Sequence, residues 1–226
     1  MGLIFINYGH KDSKHRRWRS SSIMIDQYKN FLELQTSHRD DVNYRIQTIS
    51  RPGAERIILA VHAGGIEPGC SELARAIAGS DFSLYLFEGF GQNTQILHIT
   101  STNFDEARCL EMLKQHQTAF SLHGFLGTET DPSIYLGGTD QALIRSMLFA
   151  LESNGYPARI NTGKYAATDP QNVCNRALSG RGVQIELSAS LRRQFFEDFS
   201  SQNGRKLTTP QFEHFVQVVR NVLLAG

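Results

Sequence analysis

Ile57-Ile58-Leu59-Ala60-Val61-His62-Ala63-Gly64-Gly65-Ile66-Glu67-Pro68-Gly69 is the stretch from which the rest of the chain can be read. Its apolar half is continuous rather than alternating, the pattern of a strand buried on both faces of a sheet. Gly64-Gly65 and Pro68 oppose any helical continuation, so the chain must turn at the strand end. That turn carries His62 and Glu67. Imidazole nitrogen and carboxylate oxygen are both donors that zinc accepts, and a catalytic zinc site takes three protein ligands and leaves one position open. Two of the three would stand at this one strand end.

Working outward, the pattern alternates strand and helix. Residues 44–49, 56–61, 82–87, 96–100, 119–122, 133–136 and 183–187 read as strands. Helical spacing or capping marks residues 26–35, 71–78, 105–116, 139–153 and the segment from Pro210 onward. Asn103 or Asp105 could cap the third helix, and Thr209-Pro210 opens the last. The expected fold is therefore α/β, an open, twisted, mostly parallel (mixed) sheet with helices on both faces. Residues 25–226 read as one domain.

In such sheets ligands bind beyond the carboxyl ends of the strands. Residues 119–122 end in His123-Gly124 much as residues 57–61 end in His62-Ala63-Gly64. A lone histidine at a strand end is ordinarily a hydrogen-bonded structural residue. Two of them beside glycines, together with Glu67, make a His-His-Glu set suited to one zinc ion. His98 reads as a strand residue or a group behind the ligands, and His116 as a helix-end histidine. In Val183-Gln184-Ile185-Glu186-Leu187-Ser188 the alternation puts Glu186 on the face opposite Val183, Ile185 and Leu187. A glutamate there is exposed, paired with Arg192 or Arg193, or functional. Beside a metal site it is the choice for general base.

Composition sets the outer limits. Of the 226 residues 40% are hydrophobic and 20% charged, which excludes a disordered chain. No apolar run is long enough for a membrane helix. Three cysteines, Cys70, Cys109 and Cys174, argue against a disulfide framework. Residues 1–24 form a basic tail, whose first 22 residues hold five Lys or Arg against one Asp. The tail has no signal-peptide order and no nucleic-acid motif, so neither nucleic acid nor membrane is an expected partner. A cytoplasmic protein, or one released by lysis, is expected, and a monomer.

His62-x-x-x-x-Glu67-Pro68-Gly69, Ser71-Glu72-Leu73, His98-Ile99-Thr100-Ser101, Phe104-Asp105-Glu106, Ser121-Leu122-His123-Gly124, Tyr135-x-Gly137-Gly138 and Gly182-Val183-Gln184-x-Glu186-Leu187-Ser188 together resemble the phage-type poly-γ-glutamate hydrolase family. The resemblance runs from about residue 26 to residue 193. It implies a core similar to the zinc carboxypeptidases, one zinc ion on His62, Glu67 and His123, Glu186 as base, and hydrolysis of γ-glutamyl amide bonds. Ala63 and Ala107 depart from the family pattern without touching a proposed ligand. An anionic polymer or peptide substrate needs local cations, since the chain beyond the tail is slightly acidic. Arg181, Arg108 and Lys164 are the candidates, with Tyr135 as a further substrate contact; Arg145 reads as a surface cation. A zinc amidase or deacylase acting on an N-acyl amino acid or a peptidoglycan peptide is the enzymatic alternative. A binding module that has lost catalysis is the other.

Overall fold

The computed structural model describes residues 26–226; the basic tail lies outside the described residues. Among the described residues seven strands form one mixed sheet. In chain order they are β1 (Tyr44–Ile49), β2 (Arg56–Gly64), β3 (Ser83–Gly89), β4 (Thr118–Phe125), β5 (Ile134–Gly138), β6 (Ala158–Ile160) and β7 (Arg181–Ser188). Their spatial order is β1-β3-β2-β4-β7-β5-β6. Strands β3, β2, β4 and β7 run parallel, while β1 and β5 pair antiparallel to their inner neighbours.

Among the described residues six α-helices accompany the sheet: α1 (Phe31–Leu34), α2 (Cys70–Ala78), α3 (Ala107–Leu113), α4 (Gln141–Ser153), α5 (Ala189–Gln194) and α6 (Pro210–Ala225). The alternation of β2 sorts the core into two layers. Ile58 and Ala60 pack with Leu73, Ile77, Met147, Phe215 and Val219 of α2, α4 and α6. Ile57, Leu59 and Val61 pack with Phe31, Leu34, Cys109 and Met112 of α1 and α3. Both faces are thus covered, which is why β2 reads as one apolar run. The three cysteines are free and buried. Among the described residues no helix is long and apolar enough to cross a membrane.

Four elements differ from expectation, of which β6 and α5 arise where the pattern marked neither strand nor helix. Residues 96–100 are not a strand: Thr94–Leu97 is a 3-10 turn, entered through Asn93 in the left-handed region at φ 58°. The helix expected over residues 26–35 shrinks to α1, which Asn30 caps by accepting from Glu33 N. Asp105 does not cap α3. Its carboxylate accepts from Phe31 N at 2.7 Å, and Glu106 caps α3 instead. Long-range ties thus outweighed local propensity here.

Candidate active site

The end of β2 is bent by a bulge. Ala60 pairs with Leu86 and Ala63 with Glu88, so β2 spends one residue more than β3 over this span. Val61 faces the α1/α3 layer, yet Ala63, two residues on, faces the opposite layer. The extra residue takes His62 out of the alternation, a common use of bulges beside functional sites. Gly64 follows at φ 68°, where a Cβ would come within 2.9 Å of Gly89 N. Only glycine fits this turn without strain.

The turn brings Glu67 back to His62, and Glu67 N bonds His62 O at 2.8 Å. His123 lies two strands from β5, at the end of β4, and is paired in register with Glu186 of β7. Tyr135 of β5 is paired with Glu186 from the other side. Tyr135, Glu186 and His123 therefore form a row on one face of the sheet, at the carboxyl ends of β4 and β7. Glu186 is buried, because β7 is an interior strand rather than an edge. Its Oε1 accepts from Gln184 Nε2 at 2.9 Å, and Asn172 Nδ2 donates to Gln184 Oε1 at 3.1 Å. Arg192 bonds backbone carbonyls.

Three donors converge. His62 Nδ1 lies 3.1 Å from His123 Nδ1 and 3.2 Å from Glu67 Oε1, and His123 Nδ1 lies 3.6 Å from Glu67 Oε2. The outer nitrogens are committed elsewhere. His62 Nε2 must donate to Ile99 O, 2.7 Å away, since a carbonyl only accepts. His123 Nε2 has Ser121 Oγ at 3.0 Å. In its neutral form His62 then aims an Nδ1 lone pair at the Glu67 carboxylate and at His123, and His123 does the same when Ser121 accepts from its Nε2. Such a cluster of acceptors calls for a cation. Ligands about 2.0–2.2 Å from a tetrahedral zinc stand about 3.3–3.6 Å apart, close to the three separations here. The donor set fits zinc in chemistry and spacing.

Without a metal, a proton takes the cation's part. Burial pushes the Glu67 carboxyl up, but the charge and hydrogen bond of His62 outweigh it and hold Glu67 down at about 2. His62 is raised, since Glu67 outweighs its burial. His123, buried and next to His62, falls to about 3. Burial, then the nearby Glu67 charge, pushes Glu186 well above the usual carboxylate range. Gly124 N supplies Glu67 Oε2 with a further bond at 2.8 Å.

His98 is drawn in as well. Its ring centroid lies 4.0 Å from that of His62, and donor atoms of His62, Glu67 and His98 all fall within 4.8 Å of one another. Its Nδ1 is held by Asp26 Oδ1 at 2.6 Å. His98 thus stands outside the sheet, backing His62. No pattern in the sequence marks Asp26, 72 residues away from its partner, for this part.

The expected substrate contacts divide. Tyr135 stacks with Tyr165 at 5.6 Å and packs on Phe125 at 5.2 Å. Lys164 Nζ sits over Tyr165 at 5.1 Å and Arg159 over Tyr135 at 5.3 Å. Tyr135 and Lys164 therefore border Glu186, and Arg159 and Tyr165, which nothing in the sequence singled out, join them. Arg181 does not. It opens β7 opposite Thr118, five residues and about 16 Å of strand from Glu186, at the other end of the sheet. Sequence proximity misleads along a strand. Arg108 is also elsewhere engaged, pairing with Asp40 at 2.9 Å and Glu106 at 3.2 Å. Both expectations are corrected.

A profile of the family described as poly-gamma-glutamate hydrolase matches residues 28–218. The chain is 36% identical over 203 residues to UPF0714 protein YndL of Bacillus subtilis (strain 168), covering 88% of this chain and 79% of that protein. It is 34% identical over 224 residues to UPF0714 protein YmaC of the same organism, covering 98% and 92%. A bacteriophage poly-gamma-glutamate hydrolase structure superposes with a TM-score of 0.85 at 34% identity, over 89% of this chain and 98% of that one. The zinc-free apo structure of YndL superposes with a TM-score of 0.83 at 36% identity, over 88% and 98%.

Proposed function

The chain belongs to the poly-gamma-glutamate hydrolase family, and from that membership we propose that it is a zinc-dependent hydrolase cleaving the γ-glutamyl amide bonds of poly-γ-glutamate. His62, Glu67 and His123 would hold one zinc ion per chain. The convergence of the two Nδ1 atoms, 3.1 Å apart, on the Glu67 carboxylate, whose Oε1 and Oε2 lie 3.2 and 3.6 Å from them, beside a buried Glu186, is the observation that carries this reading. That YndL has a structure distinguished as zinc-free also favours zinc. Bound there, the ion would act as a Lewis acid towards the scissile carbonyl and lower the pKa of a water towards about 7.

Glu186 takes the proton of the attacking water and delivers it to the departing amine nitrogen. Its place in register with His123, on the adjoining strand, suits that task. Gln184, itself held by Asn172, fixes Glu186 Oε1 and leaves Oε2 for the proton. The polymer carries one free α-carboxylate per residue. Lys164 and Arg159, exposed over the aromatic shelf of Tyr135, Tyr165 and Phe125, would meet these carboxylates on either side of the scissile bond.

The test joins metal content to product. Purified protein should hold one zinc per chain and release short γ-glutamyl oligomers from the polymer. His62→Ala and His123→Ala should each lose the metal. Hydrolysis of small N-acyl amino acids with the polymer untouched would instead favour an amidase or deacylase, and zinc kept in both variants would refute the ligand set.

A further inference from the structure

The three segments that carry the site are joined at one side chain. Arg192, in α5, is 4% exposed. Its Nε donates to Leu187 O at 3.1 Å, its Nη2 to Phe125 O at 3.0 Å, and its Nη1 to Pro68 O. Leu187 follows Glu186, Pro68 follows Glu67, and Phe125 is the second residue after His123. No other described side chain bonds all three segments.

The space for this is built in. A Cβ on Gly124 would come within 2.7 Å of Arg192 Nε, so a side chain after His123 would displace the guanidinium from this place. Behind the guanidinium stands Phe199, 5.9 Å from Arg192 Cζ and 5.8 Å from Arg205 Cζ. Arg205 in turn pairs with Glu72 at 3.1 Å, in the helix that leaves the Glu67 turn. A buried cation is costly unless its donors are satisfied, and here they are spent on backbone rather than on a carboxylate. A planar guanidinium presents several donors in fixed directions, which an ammonium does not.

We infer that Arg192 is a positioning residue of the metal centre: it sets the spacing of Glu67, His123 and Glu186 by holding the backbone after each, without touching substrate. The inference rests on the ligand set proposed above. Lysine at this position cannot reach three carbonyls at once. Gly124→Ala attacks the same contact from the other side.

Zinc affinity is measured by chelator competition on chains shown by circular dichroism to be folded, with kcat and KM on polymer alongside. Arg192→Lys should weaken zinc binding ~10–100-fold, the range for losing a group that orients metal ligands, and lower kcat with KM little changed. Gly124→Ala should act in the same direction, and the double variant should fall well short of the product of the two losses. Arg193→Gln, on the exposed side of the same helix, should match wild type. A folded Arg192→Lys or Gly124→Ala chain with wild-type zinc affinity overturns the inference, as does an equal loss in Arg193→Gln. If Arg192→Lys does not fold, Gly124→Ala decides by the same criterion. A wild-type chain that takes up no zinc refutes the proposed function itself, and this inference with it.

Discussion

Ser121→Ala tests whether the hydrogen bonds behind the donors select their protonation form. Ser121 is fully buried, and its Oγ is the partner of His123 Nε2 at 3.0 Å. With Ser121 as the acceptor in that bond, Nε2 carries the hydrogen and Nδ1 faces Glu67 and His62 as a lone pair. Without the hydroxyl, a buried N–H loses its acceptor, a penalty of about 1–3 kcal/mol. The ring can avoid it by moving the hydrogen to Nδ1, 3.6 Å from Glu67 Oε2, which closes the position a metal needs. Zinc binding must then reverse that move, at an extra cost of up to about 1–3 kcal/mol, or about a 5–150-fold rise in Kd. His62, whose Nε2 is held by the Ile99 carbonyl, is untouched by the change. Zinc competition against a chromophoric chelator measures the effect, with thermal unfolding of the metal-free protein as control. A folded Ser121→Ala chain whose zinc Kd lies within twofold of wild type would refute the reasoning.

Glu186→Gln should keep zinc and lose about 10²–10⁴ in kcat, the usual weight of a general base, in steady-state assays on polymer. The same variant should show a pH signature in the metal-free state. Glu186 is raised above its unfolded value of 4.5, so its contribution is fully present below that pH and is lost as pH rises through the folded pKa. The Tm of Glu186→Gln relative to wild type should therefore climb as pH increases above about 4.5; a difference independent of pH would be the wrong result. Adding zinc at about 100 times its Kd should stabilise the wild-type chain by about 2.7 kcal/mol, read as a Tm rise that a chelator reverses. Replacing Lys164 and Arg159 together by Gln should raise KM for the polymer and flatten its salt dependence while leaving zinc affinity unchanged; unaltered KM would remove them from substrate binding.

What the sequence discloses and what it hides have a common physical cause. β2 is readable because burial on two faces leaves a mark on every residue, β7 because its apolar residues alternate, and the turn after His62 because close backbone approach demands glycine. Contacts made between distant segments leave no such mark. Asp26 holds His98 and Thr100 N across 72 and 74 residues, and nothing in its neighbourhood foretells it. Arg192 could be suspected of pairing with Glu186, but its bonds to three carbonyls depend on where the strand ends converge. Arg181 shows the reverse error. Five residues from Glu186 is near in a helix or turn and far in a strand.

The setting of β7 bears on how the family can change. With β4 on one side and β5 on the other, Glu186 sits on a strand that cannot shift without dismantling the middle of the sheet. Lys164 and Tyr165, by contrast, belong to an irregular connection between β6 and β7 that carries no part of the strand ladder. On the proposed function, substitutions in that connection would alter which anionic chain is gripped while the reacting groups stay in register. Divergence in substrate preference among relatives should accordingly accumulate there, and leave the row of Tyr135, Glu186 and His123 in place.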